Sequence, residues 1–185
     1  MTPLNMDIKN GRLLGVDFKP SPHHDERPVG VSIDLIVIHG ISLPPGKFGG
    51  DMIEHLFCGR GNALCHPACE EIKHLKVSAH LLIKRTGAMI QFVPFHQRAW
   101  HAGESQFGGR VSCNDFSIGI ELEGTETMPY AMEQYAVLVP LIQTLRNTYP
   151  AITPDRIVGH QDIAPGRKND PGPHFDWLYL KGMLA

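Results

Sequence analysis

Asp34-Leu35-Ile36-Val37-Ile38-His39 is the stretch that decides the fold class. An unbroken, β-branched apolar run of this kind reads as a strand buried on both faces, inside a sheet covered on both sides. His39 then stands at the C-terminal end of a central strand, where open α/β sheets place their ligands. Working outward, Phe116-Ser117-Ile118-Gly119-Ile120-Glu121-Leu122-Glu123 alternates apolar residues with small or acidic ones, so both carboxylates share one face. The small Ser117 and Gly119 leave room on that face for other groups or a ligand. Residues 77–83 and 88–93 read as two strands joined by Lys84-Arg85-Thr86-Gly87, a hairpin signal. Arg156-Ile157-Val158 reads as the last strand.

Helices are expected between these strands. Asp51 is a plausible N-cap for a short helix through Met52, Ile53, Leu56 and Phe57. Tyr135, Leu138, Ile142, Leu145 and Tyr149 recur at three- and four-residue steps, which predicts an amphipathic helix within 129–149. Pro129 suits its first turn, Pro140 should kink it or shift its start, and Pro150 ends it. Phe175-Asp176-Trp177-Leu178-Tyr179-Leu180 reads as a short closing helix. Residues 58–74 lack a period and read as a long surface loop. Residues 1–30, with Pro20, Pro22 and Pro28, read as an irregular arm carrying His23-His24 on an exposed loop. The expected fold is α/β: a single domain over residues 1–185, with a central mixed β-sheet flanked by helices.

Composition narrows the function classes. At 185 residues the chain can bury a core without staples. A 42% apolar and 19% charged composition is that of a globular protein rather than a disordered one. A net charge of −2 and the absence of a Lys/Arg run exclude a nucleic-acid footprint. No apolar stretch approaches a membrane span, and residues 1–20 lack the apolar segment of a signal peptide, so a cytoplasmic protein is expected. Cys58, Cys65, Cys69 and Cys113 form no Cys-x-x-Cys pair and read as free thiols in a reducing compartment. A zinc knot at Cys65-His66 and Cys69 lacks a fourth ligand at sensible spacing.

The chemistry concentrates in Gly159-His160-Gln161-Asp162-Ile163-Ala164-Pro165-Gly166-Arg167-Lys168-Asn169-Asp170-Pro171-Gly172-Pro173. Its Pro and Gly content predicts a stiff loop that continues neither as strand nor as helix. It reads as half of a metal site, with His39 supplying the other half. A catalytic zinc keeps three protein ligands and one open position, here His39, His160 and a carboxylate, Asp170 or its rival Asp162. Glu121 and Glu123 are both candidates for a general base, and Lys168 or Arg167 could face a developing oxyanion. Trp100 offers an apolar face for a sugar ring, or is a core tryptophan.

Five blocks, in order, are similar to one family. His39-Gly-Ile-Ser-Leu-Pro-Pro-Gly, Val77-Ser-Ala-His-Leu-Leu-Ile, Arg98-Ala-Trp-His-Ala-Gly, Asn114-Asp-Phe-Ser-Ile-Gly-Ile-Glu-Leu-Glu-Gly and the stretch from Gly159 to Pro173 resemble the zinc-dependent N-acetylmuramoyl-L-alanine amidases. Within that family the chain looks most like the cytosolic 1,6-anhydro-N-acetylmuramyl-L-alanine type. The resemblance implies one Zn2+ ion on His39, His160 and Asp170, with Glu121 rather than Glu123 as base and Lys168 as oxyanion stabiliser. It implies substrate contacts from Trp100, Ala99, Gly40 and Lys76, and a fold related to that of peptidoglycan recognition proteins. The implied reaction hydrolyses the amide between anhydro-muramic acid and L-alanine in returned cell-wall fragments, with an indirect effect on β-lactamase induction. The implied partner is therefore a small muropeptide, with no nucleic acid or membrane, acted on by a monomer. Gly40 departs from the family's usual Asn, Lys76 and Ser112 stand where some members place Arg, and Ala131 replaces a helix-capping Thr. Two other readings remain: a non-catalytic muropeptide-binding module on this fold, and a secreted amidase acting on intact wall.

Overall fold

The computed structural model describes residues 6–184; residues 1–5 and 185, including the start of the expected arm, lie outside the described residues. In chain order the strands are β1 (Ile8–Lys9), β2 (Arg12–Leu13), β3 (Asp17–Phe18), β4 (His24–Asp25), β5 (Leu35–Ile41), β6 (Leu81–Ile83), β7 (Met89–Gln91), β8 (Arg98–Ala99), β9 (Gln106–Phe107), β10 (Arg110–Val111), β11 (Ser117–Glu123) and β12 (Ile157–Gly159). The helices are α1 (Met52–Phe57), α2 (Met132–Thr148), α3 (His160–Ile163) and α4 (Trp177–Leu184). Six strands form the central sheet in the order β12-β5-β11-β6-β7-β3. Only the β6–β7 hairpin in it is antiparallel, so the sheet is mixed, as expected.

The period-two alternation of β5 and β11 sorts their side chains to two faces. Ile36, Ile38, Ile118, Ile120 and Leu122 point to one face and pack with Tyr135, Leu138, Ile142 and Leu145 of α2 and Leu180 of α4. Leu35 and Val37 point to the other, with Ala102, Phe116 and Ile163, while α1 and the 58–74 segment cover Leu82 and Ile90 beside them. Both faces are thus dry, which is why β5 reads as an unbroken apolar run. Gln134, fully buried in the first turn of α2, donates to the carbonyls of Ile83 and Glu123 at 3.1 Å each. It ties the helix start to the C-terminal ends of β6 and β11, next to the site.

Several local expectations are corrected. The arm is more regular than its prolines suggest: β1 and β2 pair, β3 joins the sheet edge and β4 pairs with β8. His23 and His24 are half-buried rather than on an exposed loop, and His23 Nδ1 lies 3.0 Å from the Val77 carbonyl. Helix α2 starts at Met132, not in the turn of Pro129, and runs through Pro140, because the buried face from Leu138 to Leu145 outweighs one missing N–H. The 58–74 segment holds two 3-10 turns, Gly61–Ala63 and Pro67–Cys69, and buries Leu64 and Cys69. Asp51 precedes α1 but its side chain caps nothing among the described residues. The stretch expected to be loop throughout begins with one helical turn, α3. There the Asp162 carboxylate accepts the Gly159 N–H at 2.7 Å, so the turn closes before Pro165 and Gly166 end it.

Candidate metal centre and active site

β5, β11 and β12 run parallel and end together at one edge of the sheet, and the site is built on that edge. His39 is carried by β5, and Glu121 is its register partner on β11. His160 opens α3 directly after β12. The chain then returns so that Gln161 N–H donates to the Asp170 carbonyl at 2.9 Å, which brings the Asp170 side chain back beside His160.

Three basic atoms meet there. His39 Nδ1 and His160 Nδ1 are 3.0 Å apart, and Asp170 Oδ2 lies 3.2 Å from the first and 3.1 Å from the second. Tetrahedral coordination at about 2.0–2.1 Å sets ligand atoms about 3.3 Å apart, so the three spacings fit a zinc-sized ion. Lone pairs this close repel unless a proton or cation lies among them, which makes the donor set itself suited to a metal. These three residues are the cluster with metal-ligating geometry among the described residues. Asp162, the rival carboxylate, is occupied with the Gly159 N–H and is not among them.

The electrostatics favour the ligating protonation states. Burial pushes the His39 pKa down to about 4, against the pull of Asp170, so the ring is neutral at pH 7. Burial opposes ionisation of Asp170, but the His160 and His39 rings against it outweigh that and hold its carboxyl below the ordinary range. The neutral His39 imidazole and the ionised Asp170 carboxylate are in the states a divalent metal requires.

The two strand carboxylates, equivalent by alternation, differ sharply in place. Neither is solvated: Glu121 is 8% and Glu123 2% exposed. Glu123 is consumed by backbone, its Oε1 accepting from Gly49 N–H at 2.6 Å and its Oε2 from Arg85 N–H at 3.1 Å. Glu121 faces the cleft, and its buried Oε2 has no hydrogen-bond partner among the described residues. Burial first, and then the nearby Asp170 carboxylate, push its pKa well above the ordinary value of 4.5.

A cleft of about 220 Å³ opens over these groups and is lined by His39, His160, Asp170, Glu121, Lys168, Gly40 and Trp100 among others. Leu75 and Val77, just beyond the long 58–74 segment, form part of its wall. Lys168 is exposed and aimed into the cleft, whereas Arg167 turns away to donate to the carbonyls of Ala102 and Glu104 at 2.6 and 2.5 Å. Trp100 is a half-buried cleft wall, with Nε1 donating to Asp25 Oδ1 at 3.0 Å. Ala99 does not reach the cleft: it is fully buried in the core with Leu82 and Phe92. Lys76 is exposed between the wall residues Leu75 and Val77 without lining the cleft itself. At Gly40 a Cβ would lie 2.1 Å from the Tyr130 hydroxyl, so Tyr130 fills the space a larger residue would need.

The room predicted beside Ser117 and Gly119 is not open to ligand. The His101 ring occupies it: a Cβ at Gly119 would lie 2.4 Å from His101 Cγ. His101 Nδ1 lies 2.9 Å behind His39 Nε2, so a third imidazole backs that of His39. Sequence reasoning missed this contact, although two small residues opposite an imidazole-bearing loop were the available signal. The four cysteines are free, as expected. Among the described residues no helix is long and apolar enough to cross a membrane.

A buried carboxylate beside a His-His-Asp cluster at the end of a mixed sheet is the construction of a metal-assisted amide hydrolase. The family model for N-acetylmuramoyl-L-alanine amidase matches residues 29–173, and the chain belongs to that family. More particularly, it is 55% identical over 180 residues to the 1,6-anhydro-N-acetylmuramyl-L-alanine amidase AmpD of Enterobacter cloacae, covering 97% of this chain and 96% of that one. The crystal structure of a selenomethionine AmpD derivative superposes with a TM-score of 0.92 at 50% identity, covering 97% of this chain and all of that one. The amidase AmiD of Escherichia coli, solved in complex with the substrate anhydro-N-acetylmuramic acid-L-Ala-D-gamma-Glu-L-Lys, gives a TM-score of 0.62 at 27% identity, over 96% of this chain and 65% of that one.

Proposed function

We propose that this chain is a zinc amidase that hydrolyses the bond between 1,6-anhydro-N-acetylmuramic acid and L-alanine in soluble muropeptides. The observation that carries the reading is the joint placement of a zinc-sized His39–His160–Asp170 cluster and the unpartnered carboxylate of Glu121 in one cleft. The substrate class follows from near full-length similarity to amidases named for it.

Zinc, when bound by His39, His160 and Asp170, supplies polarisation of a carbonyl and lowers the pKa of a coordinated water to about 7. Glu121 takes the proton of the attacking water and later delivers it to the leaving amine of L-alanine, so one amide and one water give a lactyl carboxylate and a free amine. Its raised pKa suits both halves of that task. The Lys168 ammonium faces the oxygen on which negative charge develops as the carbonyl carbon becomes tetrahedral. Trp100 offers its ring face to the sugar, and Gly40, backed by Tyr130, lines the cleft with backbone alone. Lys76, at the rim, is placed to meet a carboxylate of the stem peptide.

We place the activity in the cytosol as a step of peptidoglycan recycling, through which it adjusts β-lactamase induction, with the protein acting as a monomer. Four free cysteines support a reducing compartment. The binding-module alternative is disfavoured by the unpartnered Glu121, which a module that only binds would have no reason to keep buried. Chromatography of digests decides between the readings. Soluble anhydro-muropeptide should yield anhydro-N-acetylmuramic acid and free peptide, with intact sacculi left nearly untouched. Cleavage of sacculi at a comparable rate contradicts the recycling role, and binding without cleavage contradicts the enzyme.

A further inference from the structure

Both metal-facing imidazoles are backed by the same dipeptide. His39 Nε2 lies 2.9 Å from His101 Nδ1, and His160 Nε2 lies 3.1 Å from the Ala102 carbonyl oxygen. The backbone N–H groups of His101 and Ala102 both donate to one atom, Asn114 Oδ1, at 3.1 and 2.8 Å. One side chain therefore fixes the position of both partners.

The direction of each hydrogen bond can be followed from the groups that can only accept. The Ala102 carbonyl has no proton to give, so His160 Nε2 must carry one. On the other branch, the Ser117 hydroxyl donates to the Cys113 carbonyl at 2.6 Å. Its oxygen, 3.2 Å from His101 Nε2, is left to accept from that nitrogen. His101 thus holds its proton on Nε2 and offers a lone pair at Nδ1. That lone pair requires the proton on His39 Nε2. Both imidazoles then direct Nδ1 into the cluster, beside Asp170 Oδ2 at 3.2 and 3.1 Å, where a metal would take the place of any proton shared among the three atoms. Gly119 keeps the arrangement possible, because the ring of His101 lies where its Cβ would be.

We propose that His101-Ala102, held by Asn114, is the positioning element that sets the Nε2–H tautomer of both His39 and His160 and so prepares their Nδ1 atoms for metal. The inference rests on the metal-site reading above for its purpose, but the tautomers can be observed without metal. Outer-shell partners of ligating histidines characteristically contribute about 10–100-fold in metal affinity. His101→Phe removes the acceptor behind His39 and keeps the ring volume. His101→Asn places an amide oxygen near the lost Nδ1 and should restore the acceptor. Ser117→Ala frees the His101 tautomer without touching a ligand.

The test has two parts. In metal-free protein, nitrogen NMR of the imidazoles should show protonated Nε2 on both His39 and His160, and Ser117→Ala should weaken that preference at His39 alone. In zinc competition against a chelator, His101→Phe should bind about 10–100-fold more weakly than wild type, with His101→Asn recovering most of the loss. A bare Nε2 on His39 in the wild type overturns the proposal. Equal zinc affinity for His101→Phe and wild type also overturns it, as does equal loss in the Phe and Asn variants. Wild-type protein that takes up no zinc would instead sink the metal reading, and the NMR result would then decide the tautomer proposal by itself.

Discussion

His39 and Glu121 are register partners on the adjacent parallel strands β5 and β11, side by side on one face of the sheet. The proposed zinc ligand and the carboxylate therefore share a rigid ladder, and their separation does not depend on a loop. Sites built on sheet elements hold their geometry better than those on loops.

Removing each carboxylate should separate chemistry from structure. Glu121→Gln should retain zinc and lose about 10²–10⁴-fold in kcat, the usual worth of a positioned general base. Its stability should stay level or rise, since an unpartnered buried carboxylate is removed. Glu123→Ala should keep zinc but lose about 1–3 kcal/mol, because the N–H groups of Gly49 and Arg85 lose their acceptor. Denaturant melts beside single-turnover assays check both; a catalytic collapse in Glu123→Ala with Glu121→Gln active would reverse the assignment.

The ligands make a matching set. His39→Ala, His160→Ala and Asp170→Ala should each lower zinc content, and Asp162→Asn should not, because its oxygen serves the Gly159 N–H. Metal analysis of the purified variants reads this out. Full occupancy in Asp170→Ala would contradict the ligand set.

Acid should loosen the wall that carries Trp100. Asp25 is held down to about 2, chiefly by its hydrogen bond with Arg98, with help from Trp100 Nε1 and against burial. A depressed carboxylate contributes stability that is present above its unfolded value of 3.8 and lost as pH falls toward 2. Metal-free wild type should thus lose stability across that window, and Asp25→Asn should flatten that part of the curve. The contribution is modest, since the Asp25 side chain is 41% exposed. At neutral pH the same variant should raise KM more than it lowers kcat, through the freed Trp100.

Gly40 and Tyr130 should behave as a coupled pair. The Tyr130 hydroxyl donates to the Pro171 carbonyl at 3.0 Å, next to Asp170, and a Cβ at residue 40 would meet that hydroxyl. Gly40→Ala should cost about 1–3 kcal/mol by overpacking. Combined with Tyr130→Phe, the loss should be smaller than the sum by about 0.5–3 kcal/mol. Strict additivity in a double-mutant cycle would show that the two do not meet.

The sequence made the central strands, α2 and the metal cluster legible for a physical reason: each leaves a local pattern, a dry run, a helical period or a dense polar stretch. What stayed hidden depends on tertiary contacts. Alternation places Glu121 and Glu123 on one face and cannot choose between them; the choice lies with the N–H groups of Gly49 and Arg85, distant in sequence. The family resemblance supplied the choice instead. Two-residue strands such as β4 and β8 have no period to read, so the arm reads as irregular. His101 lies in the quoted Arg98–Gly103 block, but nothing local says that its ring packs on Gly119 behind His39, and Ala99, expected at the substrate, is drawn into the core by its place on β8. In the 159–173 stretch, counting Pro and Gly hid the helical turn that Asp162 closes.

The most direct measurement is zinc content paired with hydrolysis of 1,6-anhydro-N-acetylmuramyl-L-alanyl peptide, before chelation, after it, and after zinc is returned. The account predicts one zinc per chain, loss of hydrolysis with the metal, and recovery of both together. Undiminished hydrolysis by fully zinc-free protein would contradict it.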